Sequence, residues 1–295
     1  MILPLHRGVY IKSVEFHSFD EYKHMDHAEA THAFPLGRAQ LAKLVREASD
    51  VIHVADAARL LEADRTDVSK ALARWTKQGW LRRVGHGAYV AASLDSIQNE
   101  HVLDDPWVLV PALFSPAYIG GRSAAEHWDM TEQMFNDTVV LTGRKLRERS
   151  QSRHGATFTL KHIAEDKIFG TKVIWRGHSK IAVSDIHRTI VDMLDDPAIG
   201  GGIQHVEDCL RAYLARADRD DALLIEYADH LGNGAVFKRL GFLTERDGRG
   251  EALLAPCRER LSQGNAKLDS ALDCTRLVSR WKLLVPPLWL GEAAR

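Results

Sequence analysis

Residues 54–90 contain two short runs of apolar positions at helical spacing, followed by a strand-like stretch. In the first run the apolar residues recur every three or four positions, which predicts a helix with one buried face: Val54, Ala57, Ala58 and Leu61. The second run repeats this spacing after a polar break: Val68, Ala71, Leu72 and Trp75. Thr66 or Asp67 is a good N-cap for the second helix, and Gly79 is a good residue to end it. Two short helices joined by a polar break predict a helix-turn-helix.

The flanking pattern adds a hairpin and a supporting helix. Residues 80–84 and 88–90 are separated by Gly85-His86-Gly87, and two glycines around one residue suit a hairpin turn that needs positive φ. Upstream, Pro35 opens an amphipathic stretch whose apolar positions are Ala39, Leu41, Leu44, Val45 and Ala48. The whole pattern, over residues 34–92, predicts a winged helix-turn-helix domain.

Charge favours DNA as the partner of this domain. Residues 65–90 contain one acid, Asp67, and six cations, although the whole chain has a formal net charge of -1. The cations are Arg65, Lys70, Arg74, Lys77, Arg82 and Arg83. Lysine and arginine release condensed counterions when they bind phosphates, so a local cation cluster is typical of a DNA-binding face. The alternative is that the domain docks another protein and that its basic face is only solvated.

The second helix and the hairpin supply the candidate DNA contacts. We expect Lys70 and Arg74 to reach bases or nearby phosphates, and Arg65 and Lys77 to bind the backbone. The full candidate set is Arg65, Thr66, Ser69, Lys70, Arg74 and Lys77 from the helix, with Arg82, Arg83 and His86 from the wing. No catalytic or metal-binding residue and no cofactor is predicted.

The rest of the chain mixes strand-like and helical stretches. β-Branched runs predict strands at residues 138–141, 157–160 and 171–175, and amphipathic stretches predict helices at residues 186–194, 205–214 and 222–231. Ser123 with Glu126 forms a capping-box pattern that predicts the start of another helix. The expected fold class is α+β: an N-terminal arm at residues 1–33, the winged domain, a linker at residues 93–105, and a larger mixed α/β domain at residues 106–295.

Composition places the chain among ordinary globular proteins. It has 295 residues, 45% hydrophobic and 27% charged. Its three cysteines form no CxxC pair, which fits a reducing compartment, and no apolar stretch has the length of a signal peptide or a membrane span. We therefore expect a cytoplasmic protein. Five histidines fall within the first 32 residues, but without cysteine or a carboxylate pattern they favour a mobile or packing arm over a metal site.

Three patterns in the larger domain suggest catalysis only weakly. Gly120-Gly121 followed by Asp137 imitates a nucleotidyltransferase, yet the second carboxylate is replaced by Val139. Asp137 with residues 165–167 (Glu-Asp-Lys) imitates a metal-dependent nuclease, a match that is common by chance. Residues 200–202 (Gly-Gly-Gly) precede a helix but lack the lysine of a phosphate loop. A non-enzymatic protein is the better interpretation.

Ordered motifs along residues 34–285 resemble the AbiEi family, antitoxins of type IV abortive-infection toxin–antitoxin systems. They lie at residues 116–128 (PAYIGGRSAAEHW), 131–133, 169–170, 183–192 (VSDIHRTIVD), 196–197, 200–202, 205–206, 238–243 (KRLGFL) and 279–283. The resemblance implies a winged helix that binds repeats in its own promoter and represses its operon. It also implies a C-terminal domain that counters a nucleotidyltransferase-type toxin, directly or indirectly.

Two other functions remain open at this point. The chain could be a winged-helix transcription factor whose C-terminal domain senses a small ligand, or a metal-dependent enzyme acting on DNA or nucleotides. A dimer is expected if the operator is palindromic, whereas a monomer could bind each repeat separately.

Overall fold

The computed structural model describes residues 36–92 and 105–290. Its α-helices are α1 Leu36–Glu47, α2 Val54–Leu60, α3 Arg65–Lys77, α4 Val110–Phe114, α5 Gly121–His127, α6 Ile186–Asp195, α7 Ile203–Leu214, α8 Asp221–Leu231, α9 Gly234–Asp247 and α10 Leu254–Glu259. Its β-strands are β1 Ile52–His53, β2 Leu81–Gly85, β3 Ala88–Ala91, β4 Ala117–Ile119, β5 Asp137–Thr142, β6 Ser150–Arg153, β7 Ala156–His162, β8 Thr171–Arg176, β9 Ser179–Ser184, β10 Ala266–Lys267, β11 Arg276–Val278 and β12 Leu283–Val285. The N-terminal arm and nearly all of the expected linker lie outside the described residues.

Residues 36–92 form a winged helix-turn-helix, here called the winged unit. Helices α1 to α3 pack on an antiparallel sheet with the strand order β1-β3-β2, around fully buried Leu44 and Leu72. The N-cap of α3 is Asp64, not Thr66 or Asp67 as the sequence suggested: its carboxylate accepts the Thr66 N–H at 2.7 Å. Together with the larger α/β region that follows, this unit confirms the predicted fold class.

The wing is the hairpin formed by β2 and β3. Its register pairs Arg83 with Tyr89 and Gly85 with Ala88, with an irregularity between the two pairs. Only Gly87 has a positive φ, +66°, whereas Gly85 continues the strand. The prediction of a turn at residues 85–87 is therefore right in place, but one glycine and not two supplies the left-handed backbone.

The larger region contains a six-stranded mixed sheet of order β6-β7-β5-β4-β9-β8. Strands predicted from β-branched runs correspond to β5, β7 and β8, and the predicted helix at residues 186–194 corresponds to α6. Helices α6 to α9 surround a second core that includes the fully buried Trp281. The remaining strands form a small sheet of order β10-β12-β11.

The capping box predicted at Ser123 is wrong. Helix α5 begins two residues earlier, after Gly120, and Ser123 lies inside it. The hydroxyl of Ser123 instead accepts the backbone N–H of Val139 at 2.9 Å, which ties α5 to β5.

The winged unit packs directly on the six-stranded sheet region. Val51, Val84 and Val90 belong to the same buried cluster as Val108 and Phe114. The Nε2 atom of His154, in the turn between β6 and β7, lies 2.9 Å from the carbonyl oxygen of Val84 in the wing. One edge of the wing is therefore fixed against the larger region. Among the helices of the described residues, none is both long and apolar enough to cross a membrane.

Candidate nucleic-acid interface

The exposed face of α3 carries the central part of the candidate interface. Val68, Leu72 and Trp75 point into the core, and the residues opposite them repeat at three- and four-residue spacing. By helical geometry the centre of this outer face is formed by Thr66, Lys70, Ala73 and Lys77, all of which are exposed. Three of the predicted DNA contacts, Thr66, Lys70 and Lys77, therefore lie at the centre of the face.

These lysines are electrostatically available to a phosphate. Lys70 lies 3.3 Å from Asp67, but both side chains are 72% exposed, so water screens the pair strongly. The side chains of Lys77 and Arg65 form no hydrogen bond or ion pair with any residue in the described parts of the chain. Binding to an anion would therefore break little internal structure.

Arg74 lies on one flank of the face. Its guanidinium is 5.9 Å from the centroid of the Trp75 ring, and its Nη2 would be 3.6 Å from a Cβ built at Gly37. The side chain thus leans toward the start of α1 while remaining exposed. Ser69, which is partly exposed, lies on the opposite flank.

The wing presents its predicted contacts beside α3. Arg83 and His86 are exposed and Arg82 is partly exposed. The Nε atom of Arg83 donates to the Gly85 carbonyl at 3.1 Å, which steadies the approach to the turn. None of the nine predicted DNA-contact residues is buried, and all nine belong to the winged unit.

Sequence reasoning missed the neighbours that the larger region brings to the wing. Because His154 contacts Val84, the exposed Arg153 next to it also lies near the wing. Val84 and His154 are 70 positions apart in sequence. No local pattern indicates this contact, since it depends on how the sheet packs.

Asp137, the acidic residue of the nucleotidyltransferase-like pattern, is already bonded to two neighbouring side chains. Arg122 donates to the carboxylate of Asp137 at 2.5 Å, and the Thr159 hydroxyl donates to the same oxygen. Burial raises the pKa of Asp137, but the hydrogen bonds from Arg122 and Thr159 outweigh it and the pKa is lowered. The space beside the turn at Gly120-Gly121 is also occupied by protein atoms, because a Cβ at Gly121 would lie 2.5 Å from the carbonyl oxygen of Ile199.

The other two catalytic patterns are not assembled. Asp137 begins β5, whereas Glu165 lies beside Gly143, just beyond the other end of that strand and about 20 Å away along its length. The N-terminus of α7, after the three glycines, is occupied by Asp269, which accepts the Ile203 N–H at 3.0 Å. Over residues 36–92 and 105–290, no group of histidine, cysteine or carboxylate side chains could hold a metal ion.

Comparison with known proteins bears on both parts of the chain. A crystal structure of the RV2827C protein from Mycobacterium tuberculosis is similar in fold, with a TM-score of 0.57 and 17% identity, covering 85% of this chain and 92% of that one. No curated protein matches the chain. A family model described as a transcriptional regulator, AbiEi antitoxin, matches residues 39–92. The resemblance to the AbiEi family is thus confirmed over the winged unit, and the match supports a DNA-binding antitoxin regulator.

Proposed function

We propose that this chain is a cytoplasmic DNA-binding antitoxin that represses its own toxin–antitoxin operon and counters a nucleotidyltransferase-type toxin. The observation that carries the proposal is the exposed cationic face of α3 inside a segment that matches the AbiEi regulator family. Repression follows if this face occupies the promoter, because a bound protein excludes polymerase from the same DNA.

On DNA, α3 would lie in the major groove with Lys70 and Lys77 at its centre. Thr66, Ser69 and Arg74 would read base edges or nearby phosphates from the rest of the face, and Arg65 would bind the backbone. Arg82, Arg83 and His86 would hold the adjoining backbone or minor groove from the wing. Each neutralised phosphate releases counterions, so affinity should fall steeply with salt.

The larger region would act on the toxin. The resemblance implies this role, and the engagement of Asp137 by Arg122 and Thr159 agrees with a binding function better than with metal-dependent chemistry. Neutralisation would then use surface contact or an indirect effect, and no residue of the toxin-facing surface is assigned.

A promoter reporter and a growth assay test the two halves of the proposal. The natural upstream DNA drives a reporter with this chain supplied in trans, and the neighbouring toxin gene is induced separately. The wild type should repress the reporter and restore growth. A double variant, Lys70→Ala with Lys77→Ala, should lose repression but keep rescue. Arg276→Ala, which removes one exposed charge from β11 in the larger region, should keep repression. Failure of the wild type to repress or to rescue would contradict the corresponding half.

A ligand-sensing regulator is the second candidate function, because the larger region contains an open cavity of about 540 Å³. Trp107 and Phe135 line it with aromatic rings, and its charged lining groups are three carboxylates (Asp105, Glu126 and Asp137) and one cation, Arg176. The Nε atom of Arg176 lies 3.8 Å from the Asp105 carboxylate. Thermal stabilisation of the wild type by a small positively charged metabolite, lost in Glu126→Gln, would favour this alternative.

A further inference from the structure

The outer side of α1 carries an apolar groove that no described residue covers. The groove has a volume of about 420 Å³ and is lined by Arg38, Ala39, Leu41, Ala42, Val45, Trp80, Ala91 and Ala92. Two of its apolar side chains are about half exposed, Val45 at 46% and Trp80 at 45%. Contiguous apolar surface of this kind is typical of a binding site.

The chain itself brings a candidate occupant to the rim of the groove. Residues 1–35 lie outside the described structure and join it at Leu36, two residues before Arg38. A segment tethered so close has a high effective concentration at the groove, on the order of millimolar for a short connection. The segment therefore occupies this surface in preference to a free partner that has the same intrinsic affinity.

Residues 13–30 contain large apolar side chains that match the apolar character of the groove. Phe16, Phe19 and Tyr22 recur at three-residue spacing and supply large apolar surface. Aromatic side chains bury more area than any others, and they pack well against an indole ring such as that of Trp80.

The same stretch also complements the winged unit in charge. Residues 13–30 contain one lysine, Lys23, against five acids: Glu15, Asp20, Glu21, Asp26 and Glu29. The winged unit contains ten lysines and arginines against six acids. Three of these cations lie on α1 itself. Lys43 donates to the Leu60 carbonyl, Arg38 stacks over Trp80 at 5.7 Å, and Arg46 is 74% exposed and lies 3.6 Å from Glu47.

We propose that residues 13–30 dock in this groove of the same chain. Their aromatic side chains would cover Val45 and Trp80, and their carboxylates would lie near Arg38 and Arg46. A second copy of the winged unit is a poorer occupant, because it would bring two surfaces of net positive charge together. The N-terminal arm is thereby an intramolecular partner of α1.

Cysteine labelling at Val45 tests the docking directly. The three native cysteines are buried, so Val45→Cys introduces the accessible thiol. In the full-length chain this thiol should react with a maleimide at least five-fold more slowly than in a chain lacking residues 2–30. Ala73→Cys, on the exposed face of α3, is the matched control, and its thiol should react at the same rate in the full-length and the shortened chain.

Equal labelling of Val45→Cys in both chain lengths would overturn the proposal. Protection that persists in the shortened chain and disappears on dilution would also overturn it, because a second copy would then cover the groove. If the shortened chain does not fold, the full-length variant Phe16→Ser/Phe19→Ser/Tyr22→Ser replaces it. In that variant, the proposal requires the same five-fold gain in labelling rate at Val45→Cys, and an unchanged rate contradicts it.

Discussion

The carboxylate of Asp50 accepts a hydrogen bond from the backbone N–H of His178 at 2.8 Å, and so fastens the winged unit to the turn between β8 and β9. The turn is shaped for this contact: Gly177 has a φ of +56°, and a Cβ there would lie 2.7 Å from the Asp50 carboxylate. Together with the contact between His154 and Val84, this bond sets the direction in which the wing points.

Asp50→Ala should lower the free energy of unfolding by about 1 kcal/mol, because a backbone N–H loses a charged acceptor in a partly exposed site. Asp50→Asn keeps an acceptor and should cost less than half of that. Urea denaturation of the three proteins measures the difference. Equal stability of Asp50→Ala and the wild type would show that the contact does not hold the two parts together.

Lys70→Ala and Arg74→Ala should each weaken binding to the specific DNA. A loss of about 1–3 kcal/mol confined to the specific sequence indicates base contacts. An equal loss on specific and random DNA, with a shallower salt dependence, indicates phosphate contacts. Fluorescence anisotropy on both duplexes distinguishes these results, with Arg276→Ala as the control for charge. Unchanged affinity for both variants would remove α3 from the interface.

Asp137→Ala should destabilise the protein by about 2 kcal/mol at neutral pH, since it leaves the nearly buried Arg122 without its counter-charge. The folded state lowers the pKa of Asp137 below its ordinary value of 3.8, so its stabilising contribution is present above that pH. This contribution is lost as the pH falls through the lowered pKa. Thermal melts from pH 7 to pH 2 should therefore show a difference in melting temperature between wild type and variant that shrinks only as the pH falls below 3.8. A gap that stayed constant over this range would be inconsistent with the ion pair.

Gly241→Ala should be strongly destabilising. A Cβ at this position of α9 would overlap the ring of Trp281, which is fully buried and has no room to move. Overpacking of this kind costs about 1–3 kcal/mol. The same substitution at Gly37 in α1 meets only an ordinary contact with Arg74 and should be neutral or slightly stabilising. Differential scanning calorimetry compares the two, and similar melting temperatures would contradict this packing.

Local patterns in the sequence account for most of the helices and strands. The apolar spacing of Val68, Leu72 and Trp75 predicts the buried side of α3, and Asp185 is an N-cap in the structure because it accepts the Arg188 N–H. The cap at Ser123 fails for a physical reason: Ser123 lies inside α5, and its hydroxyl accepts the backbone N–H of Val139 in β5. A partner 16 residues away leaves no trace in a capping pattern.

The candidate interface was predictable as a set of exposed cations, but not in its detailed arrangement. Helical periodicity alone separates the outer side of α3 from the core. It does not show that Arg74 leans toward Gly37, or that His154 fixes the wing through Val84, because both contacts arise from packing between distant segments. The sequence likewise gives no indication that Arg122 pairs with Asp137.

The most direct test of the central claim is equilibrium binding of the full-length protein to its own upstream DNA and to a scrambled duplex. Fluorescence anisotropy across a salt series gives both affinities and their salt dependence. The account predicts binding to the upstream DNA about 10³-fold tighter or more at physiological salt, with a steep loss as salt rises. Equal and weak binding to both duplexes would contradict it, and would make the winged unit a surface for docking another protein.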